Sequence, residues 1–287
     1  MQKLSIRFFD NKEVRAVWDD STNQWWFAAV DIVAVLSDSQ DPKNYWYVLK
    51  NRLKKTNSQV LTNCKGLKLT AKDNKQYMTD CLDNQGIITL AKTFPSTKAN
   101  RFIEWFTYAP ETIDGKSKTK AYALFESGLL NNLEPGTIKS LQQIHGYLFG
   151  GLYDFAGQIR TKDISKGGFK FAPCQYFDTT LPNVEKMSET TFDNICDKYI
   201  EMNIVHPFME GNGRSIRIWL DLMLKRSLKK CVDWSQIDKN DYLNAMRESV
   251  NDGTRIKALI KNALTDKIND REMFMKGIDY SYYYEEQ

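Results

Sequence analysis

The sequence predicts an α+β N-terminal domain followed by a mainly α-helical domain that carries one β-hairpin. Three observations lead there. Short alternating apolar runs crowd the first part of the chain. The stretch YAPETIDGKSKTK, residues 108–120, then replaces apolar periodicity with Pro, Gly, Ser, Thr and Lys. Beyond it, apolar residues return at helical spacing through five segments. Residues 1–108 and 121–287 therefore read as two domains joined by a linker at 109–120. A length of 287 residues gives each enough material for its own core.

In the first domain, strands are expected at 5–9, 14–18 and 25–28, with a turn near 19–23. A helix should begin at Asp31 and another span 43–54. A hairpin is expected from 66–70 and 76–81, then helices at 84–93 and 97–106, parted by Pro95. In the second domain the helical pattern covers 138–149, 192–205, 215–225, 241–249 and 255–262. Gly167-Gly168 sits between two short alternating runs, 163–165 and 169–171, which is how a hairpin reads.

Composition narrows the function classes. With 42% hydrophobic and 26% charged residues the chain is an ordinary globular protein, not a disordered one. A net charge of +4 makes no polycation, so any nucleic-acid argument must rest on local charge. The five cysteines (Cys64, Cys81, Cys174, Cys196, Cys231) form no CxxC pair, and two histidines cannot build a histidine-rich metal centre. The opening residues lack an apolar signal region, and the most apolar run, 25–36, is too short to span a bilayer. A cytoplasmic protein without a membrane partner is expected.

The densest chemistry lies in HPFMEGNGRSIR, residues 206–217. Pro207 favours ending a helix, and Gly211-Asn212-Gly213 supplies bare backbone before the next one. N–H groups at such a loop and helix start form an anion nest. Arg214 and Arg217, three apart, share a helix face and could grip a polyphosphate. Glu210 can hold a hard cation such as Mg²⁺ together with phosphate oxygens. His206 is the nearby side chain able to take a proton at neutral pH. Together these make a phosphoryl- or nucleotidyl-transfer site. His145, on an amphipathic helix, reads as a structural hydrogen-bonding residue.

The run resembles the Fic signature HPFx[D/E]GNGRxxR at every defined position. The likeness extends from about residue 120 to 287, including LQQIHGYLFGGLYDFAGQIR at 141–160 and ISKGGF at 164–169. It implies a protein adenylyltransferase that moves AMP from ATP, with Mg²⁺, onto a Tyr, Ser or Thr hydroxyl of a target protein. By that resemblance His206 is the base, Glu210 holds Mg²⁺, and Asn212 with the Gly211–Gly213 backbone binds the α-phosphate. Arg214 and Arg217 orient the other phosphates, Phe208 anchors the loop, and the hairpin around Lys166 and Gly167 is the flap that pairs with the target, those two residues also counting among the nucleotide-binding ones. Intact Gly211 and Gly213 favour AMP transfer over the phosphate transfer of the Doc-type relatives. Transfer of another phosphate-linked group, or a scaffold role for the domain, stays open.

The C-terminal YSYYYEEQ is similar to the family's inhibitory motif [S/T]xxxE[G/N], with Ser281 and Glu285 in register and Glu286 departing from it. The resemblance implies a C-terminal helix, about 270–287, whose Glu285 pairs with Arg217. Tyr282, Tyr283 and Tyr284 then become hydroxyls tethered near the site, open to self-modification.

The N-terminal domain carries nine basic residues against one acidic between Lys43 and Lys75. Lys50, Arg52, Lys54, Lys55, Lys65 and Lys68 form its centre, a patch suited to phosphate backbones. WFAAVDIVAVL at 26–36, YWYVLKNRLKK at 45–55, TNCKGLKLTA at 62–71 and KQYMTD at 75–80 resemble BRO-type antirepressors and DNA-damage-inducible protein D. DNA binding is what that likeness implies, with a toxin-like role against a DNA-handling target as one fit. A homo-oligomer is compatible with all of this.

Overall fold

The computed structural model describes residues 4–56, 58–71 and 75–285, and the chain divides into two units, Met1–Thr112 and Ile113–Gln287. In unit 1, β1 (Leu4–Phe9), β2 (Lys12–Asp19) and β3 (Gln24–Ala28) form a meander. Asp10 and Asn11 close its first turn with φ of 46° and 60°, the left-handed pair that a two-residue hairpin requires. Helices α1 (Ala29–Ser37), α2 (Pro42–Lys55) and α3 (Gln59–Thr62) follow. The α2 start is set locally: Asp41 caps it by accepting from Asn44 N, and Pro42 stands at the first position. Next come β4 (Cys64–Thr70), β5 (Gln76–Leu82), α4 (Asn84–Ala91) and α5 (Thr97–Tyr108).

The sheet is antiparallel, in the order β1-β2-β3-β5-β4. Alternation along each strand sends neighbours to opposite faces. Val14, Ala16 and Phe27 join the main core with Ile32, Leu49, Ile87 and Phe102, whereas Val17, Trp26, Ala28 and Leu69 pack on the other side.

Unit 2 is helical: α6 (Ile113–Glu126), α7 (Ile138–Phe149), α8 (Phe177–Glu185), α9 (Phe192–Val205), α10 (Asn212–Leu228), α11 (Lys239–Glu248), α12 (Thr254–Asn262) and α13 (Arg271–Tyr283). Two short hairpins interrupt it, β6 (Ser165–Lys166) with β7 (Phe169–Lys170), and β8 (Cys231–Val232) with β9 (Leu264–Thr265). Helix α10 is the axis, packed by α7, α9 and α13, and from 212 to 224 all its residues but Gly213 and Asp221 are buried, Ile216, Trp219, Leu220 and Met223 among them. A helix buried all round shows no clear amphipathic stripe, so its length exceeds what periodicity alone indicates.

One expectation needs correction. Residues 113–120, expected as linker, are the first half of α6. Gly115, Ser117 and Thr119 are poor helix formers, but Ser117, Ala121 and Leu124 are buried at helical spacing. The Ser117 hydroxyl also meets the Tyr282 hydroxyl at 2.6 Å. Packing overrides local propensity here. Glu286, the residue that departs from the inhibitory motif, lies outside the described residues, as do Lys72 and Asp73 of the basic stretch.

Candidate active site

Helix α9 ends at His206, whose backbone N–H still donates to Met202 O while its own φ is 52°. That left-handed turn throws the chain into the loop and leaves the imidazole at the helix end. Its Nδ1 lies 3.0 Å from Asn203 O, and a carbonyl can only accept, so Nδ1 carries the proton. Nε2 is thus the basic nitrogen. The ring stacks on Phe171 at 3.8 Å, and burial pushes its pKa down to about 4, so the imidazole is neutral at physiological pH.

The loop is braced from within. Asn212 closes on Phe208 twice, accepting from its N–H at 2.8 Å and donating to its carbonyl at 2.7 Å. The amide of Asn212 is therefore a staple, and what it offers a ligand is the backbone of the first α10 turn, whose N–H groups have no intrahelical acceptor. Phe208 is fully buried and stacks on His145 at 3.9 Å. His145 accepts from Gly157 N at 2.8 Å on Nδ1, so Nε2 holds the proton and donates to Glu210 O at 2.9 Å. Burial holds this ring neutral too, pulling its pKa down to about 4. Gly211 has φ 78°, and a Cβ there would drive into the Phe149 ring.

A cavity of about 660 Å³ gathers His206, Glu210, Asn212, Gly213, Arg214 and Lys166, with Glu285 at its side. Glu210, half exposed, accepts from Gly211 N at 2.9 Å and Arg214 Nη2 at 3.1 Å. Arg214 also pairs with Asp114 at the start of α6, while its Nε has no partner among the described residues. A buried N–H without an acceptor beside a roomy polar cavity suits an anion. Among the described residues no cluster of three or more His, Cys, Asp or Glu could hold a metal unaided. Glu210 alone suits a Mg²⁺ ion that takes most ligands from phosphate and water.

Arg217 does not line this cavity. Its Nε donates to Ser281 Oγ (2.7 Å), its Nη2 to Ser281 O (2.7 Å) and Glu285 Oε1 (2.7 Å), and its Nη1 to Tyr242 OH (3.1 Å). The guanidinium lies 5.5 Å from the ring centres of both Tyr242 and Tyr284, which stack on each other. Glu285 also pairs with Lys166 of β6 at 3.5 Å, and its carboxylate sits so close to Gly213 that a Cβ there would collide with it. Burial alone would raise the Glu285 pKa, but the Arg217 charge and hydrogen bond outweigh it, with help from Lys166, and bring it to about 2.

The remaining sites fall elsewhere. Gly167 and Gly168, with φ of 56° and 82°, form the two-residue turn of the β6–β7 hairpin. Tyr282 and Tyr284 are buried, the first against Ser117 and the second donating toward Trp234 O (2.6 Å) and Ile237 O (2.9 Å). Neither faces the cavity, and the ring of Tyr283 lies under Lys239. In unit 1, Arg52, Lys54, Lys55 and Lys68 are exposed, but Lys50 pairs with Asp80 at 2.6 Å and Lys65 with Asp19. Those two lysines are neutralised, which thins the expected patch. Asp114 and the buried Arg160 are site residues that sequence reasoning missed. Arg160 stands in the family-like run at 141–160, but nothing local marks its role.

Helices surround a loop braced from within, and the His206 imidazole stands at its start. Residues 135–224 match the Fic/DOC family, and residues 13–112 match the BRO family, N-terminal domain. The chain joins a BRO N-terminal domain to a Fic domain. Among its relatives, protein adenylyltransferase VbhT of Bartonella schoenbuchensis is 29% identical over 170 residues, 54% of this chain and 35% of VbhT. The chain thus spans about a third of that protein's length. "Probable protein adenylyltransferase Fic" of Salmonella typhimurium is 24% identical over 43% of this chain and 67% of its own. The crystal structure of BepC from Bartonella tribocorum, with bound AMPPNP, is 20% identical with a TM-score of 0.42, covering 51% of this chain and 87% of BepC. Among the described residues no helix is long and apolar enough to cross a membrane.

Proposed function

We propose that unit 2 is a protein adenylyltransferase held in a restrained state by α13. The observation that carries this is one cavity shared by the free Nε2 edge of His206, the Gly213 end of α10, Arg214 and Glu210. A triphosphate laid on the helix start meets N–H groups and a guanidinium. The target hydroxyl gives its proton to His206 Nε2 while its oxygen bonds the α-phosphorus. The bond to the bridging oxygen breaks, and pyrophosphate leaves. Glu210 would hold Mg²⁺, which supplies charge neutralisation on the phosphates. The β6–β7 hairpin offers backbone to an extended target segment, a mode tolerant of target sequence.

Glu285 supports the inhibited reading because its carboxylate occupies an anion position, against Gly213 and on Arg217. The third phosphate of ATP would compete for that place. ATP could still enter, but misaligned for attack. In unit 1, the exposed Arg52, Lys54, Lys55 and Lys68, with the relationship to the BRO family, support DNA binding as an accessory function. Such binding would bring the transferase to a DNA-associated target.

The test is incubation of the full chain carrying Glu285→Gly with ATP labelled on the α- or the γ-phosphate. Label retained from the α position only, and lost in His206→Ala, supports AMP transfer. Retention of γ label would replace the reading with phosphate transfer, and retention of neither would reject it.

A further inference from the structure

We infer that Arg160 is a positioning residue that ties the catalytic base and the target-binding hairpin into one rigid piece; this rests on the transferase reading. Arg160 has a fully buried guanidinium. It binds the end of α9 by donating from Nε to His206 O at 2.8 Å and from Nη2 to Val205 O at 3.1 Å. The same group binds both roots of the β6–β7 hairpin, Lys162 O through Nη1 at 2.7 Å and Ala172 O through Nη2 at 2.6 Å. Its backbone N–H adds a fifth link, to Pro207 O at 2.8 Å.

The choice of residue follows from geometry. Four carbonyls converge on one buried point, and only a planar fork with five N–H groups can meet them all. A helix end is also the negative pole of its dipole, which suits a cation. Three of the links hold Val205, His206 and Pro207, the turn where His206 adopts its left-handed φ of 52°. The other two hold the hairpin, and Phe171, just beyond β7, is the ring stacked on the His206 imidazole. Moving either part without Arg160 would leave buried carbonyls unpaired. Attack distance and target alignment are thus set together.

The experiment adds Arg160→Lys and Arg160→Gln to full-length Glu285→Gly. AMP transfer at saturating ATP should fall roughly 100-fold in Arg160→Gln and less in Arg160→Lys, since small misplacements of a base cost that much. The KM for ATP should stay within about threefold, because Gly213, Arg214 and Glu210 do not touch Arg160. A merely structural role would reduce folded protein yet leave the rate per folded molecule unchanged. A second readout needs no turnover: the chain has only two histidines, so carbon-labelled imidazole NMR resolves them. His206 should stay untitrated between about pH 5 and 8 in the parent and begin to titrate there in both variants. An unchanged rate with a silent His206, or parallel loss of rate and ATP binding, overturns the inference. If the parent itself transfers no AMP the transferase reading fails, and the imidazole titration alone decides the role of Arg160.

Discussion

Replacing Glu285 by glycine should raise AMP transfer by roughly 30- to 150-fold. The magnitude follows from the closed state. Glu285 receives one charge-assisted hydrogen bond from Arg217 at 2.7 Å and a weaker ion pair from Lys166 at 3.5 Å. Its pKa falls from 4.5 to about 2, which corresponds to about 3 kcal/mol favouring the ionised form in place. Its side chain is 21% exposed, so solvent takes part of that away. Charge-assisted bonds are worth about 1.5–3 kcal/mol by other measures, and about 2–3 kcal/mol gives the stated range. Removing the carboxylate leaves Arg217 on Ser281 and Tyr242, where a phosphate can compete for Nη2. The assay is initial-rate transfer from α-labelled ATP, with Glu285→Gln as the shape-preserving control and ATP affinity measured in parallel. Affinity should change by no more than a few-fold, since the α10 start and Arg214 are untouched. A gain under about threefold, in a protein whose His206→Ala derivative is dead, would refute the argument that the carboxylate restrains the nucleotide.

Three other outcomes are expected. His206→Ala should cost about 100- to 10,000-fold in rate, and the pH–rate profile of Glu285→Gly should be flat from about pH 5 to 8. Because burial depresses the His206 pKa to about 4, the base is lost only as pH falls toward that value, and so is the stability that neutral His206 contributes above about 6.5. A limb near 6.5 would contradict the buried imidazole. Gly211→Ala should cost about 2–4 kcal/mol in thermal or urea unfolding, because it adds strain at φ 78° to a collision with Phe149. Lys54→Glu with Lys55→Glu should abolish retardation of duplex DNA at low salt, whereas Lys50→Ala should change it little, its charge being spent on Asp80. A slope of binding against salt that both variants share with the parent would remove the α2 face as the contact.

Local information was legible in the sequence, and long-range polar pairing was not. Helices α7 and α9 lie where their apolar spacing put them, because each buries one stripe: Leu141, Ile144 and Leu148 in the first, Ile195, Tyr199 and Met202 in the second. The loop at 206–217 was legible for a related reason. Its chemistry is contiguous, so its residue types and their spacing travel together in the chain. Helix α6 was missed because its buried face begins with Ser117 rather than an apolar residue, and its stabilising partner, Tyr282, is 165 positions away. Lys50 and Lys65 looked available because Asp80 and Asp19 stand 30 and 46 residues off. The resemblance puts Asn212 on the α-phosphate; an amide in such a loop can serve either purpose, and only geometry shows its closure on Phe208.

The two arginines of the loop show what spacing can and cannot convey. Three residues apart on α10, they share a face, yet Arg214 opens onto the cavity and Arg217 is drawn toward α13. Each is answered by a carboxylate distant in sequence, Asp114 at the start of α6 for the first and Glu285 just past the end of α13 for the second. The difference lies in burial. Asp114 is 65% exposed, and an exposed pair is worth little, so a phosphate can displace it at small cost. Glu285 is mostly enclosed, and the Ser281 hydroxyl and carbonyl reinforce its grip on the same guanidinium. Nucleotide entry by way of Arg214 and restraint by way of Arg217 are therefore separable. An Asp114→Asn variant should alter ATP affinity by less than about fivefold and leave the gain from Glu285→Gly intact. Loss of that gain in the double variant would mean that the two carboxylates act as one brake.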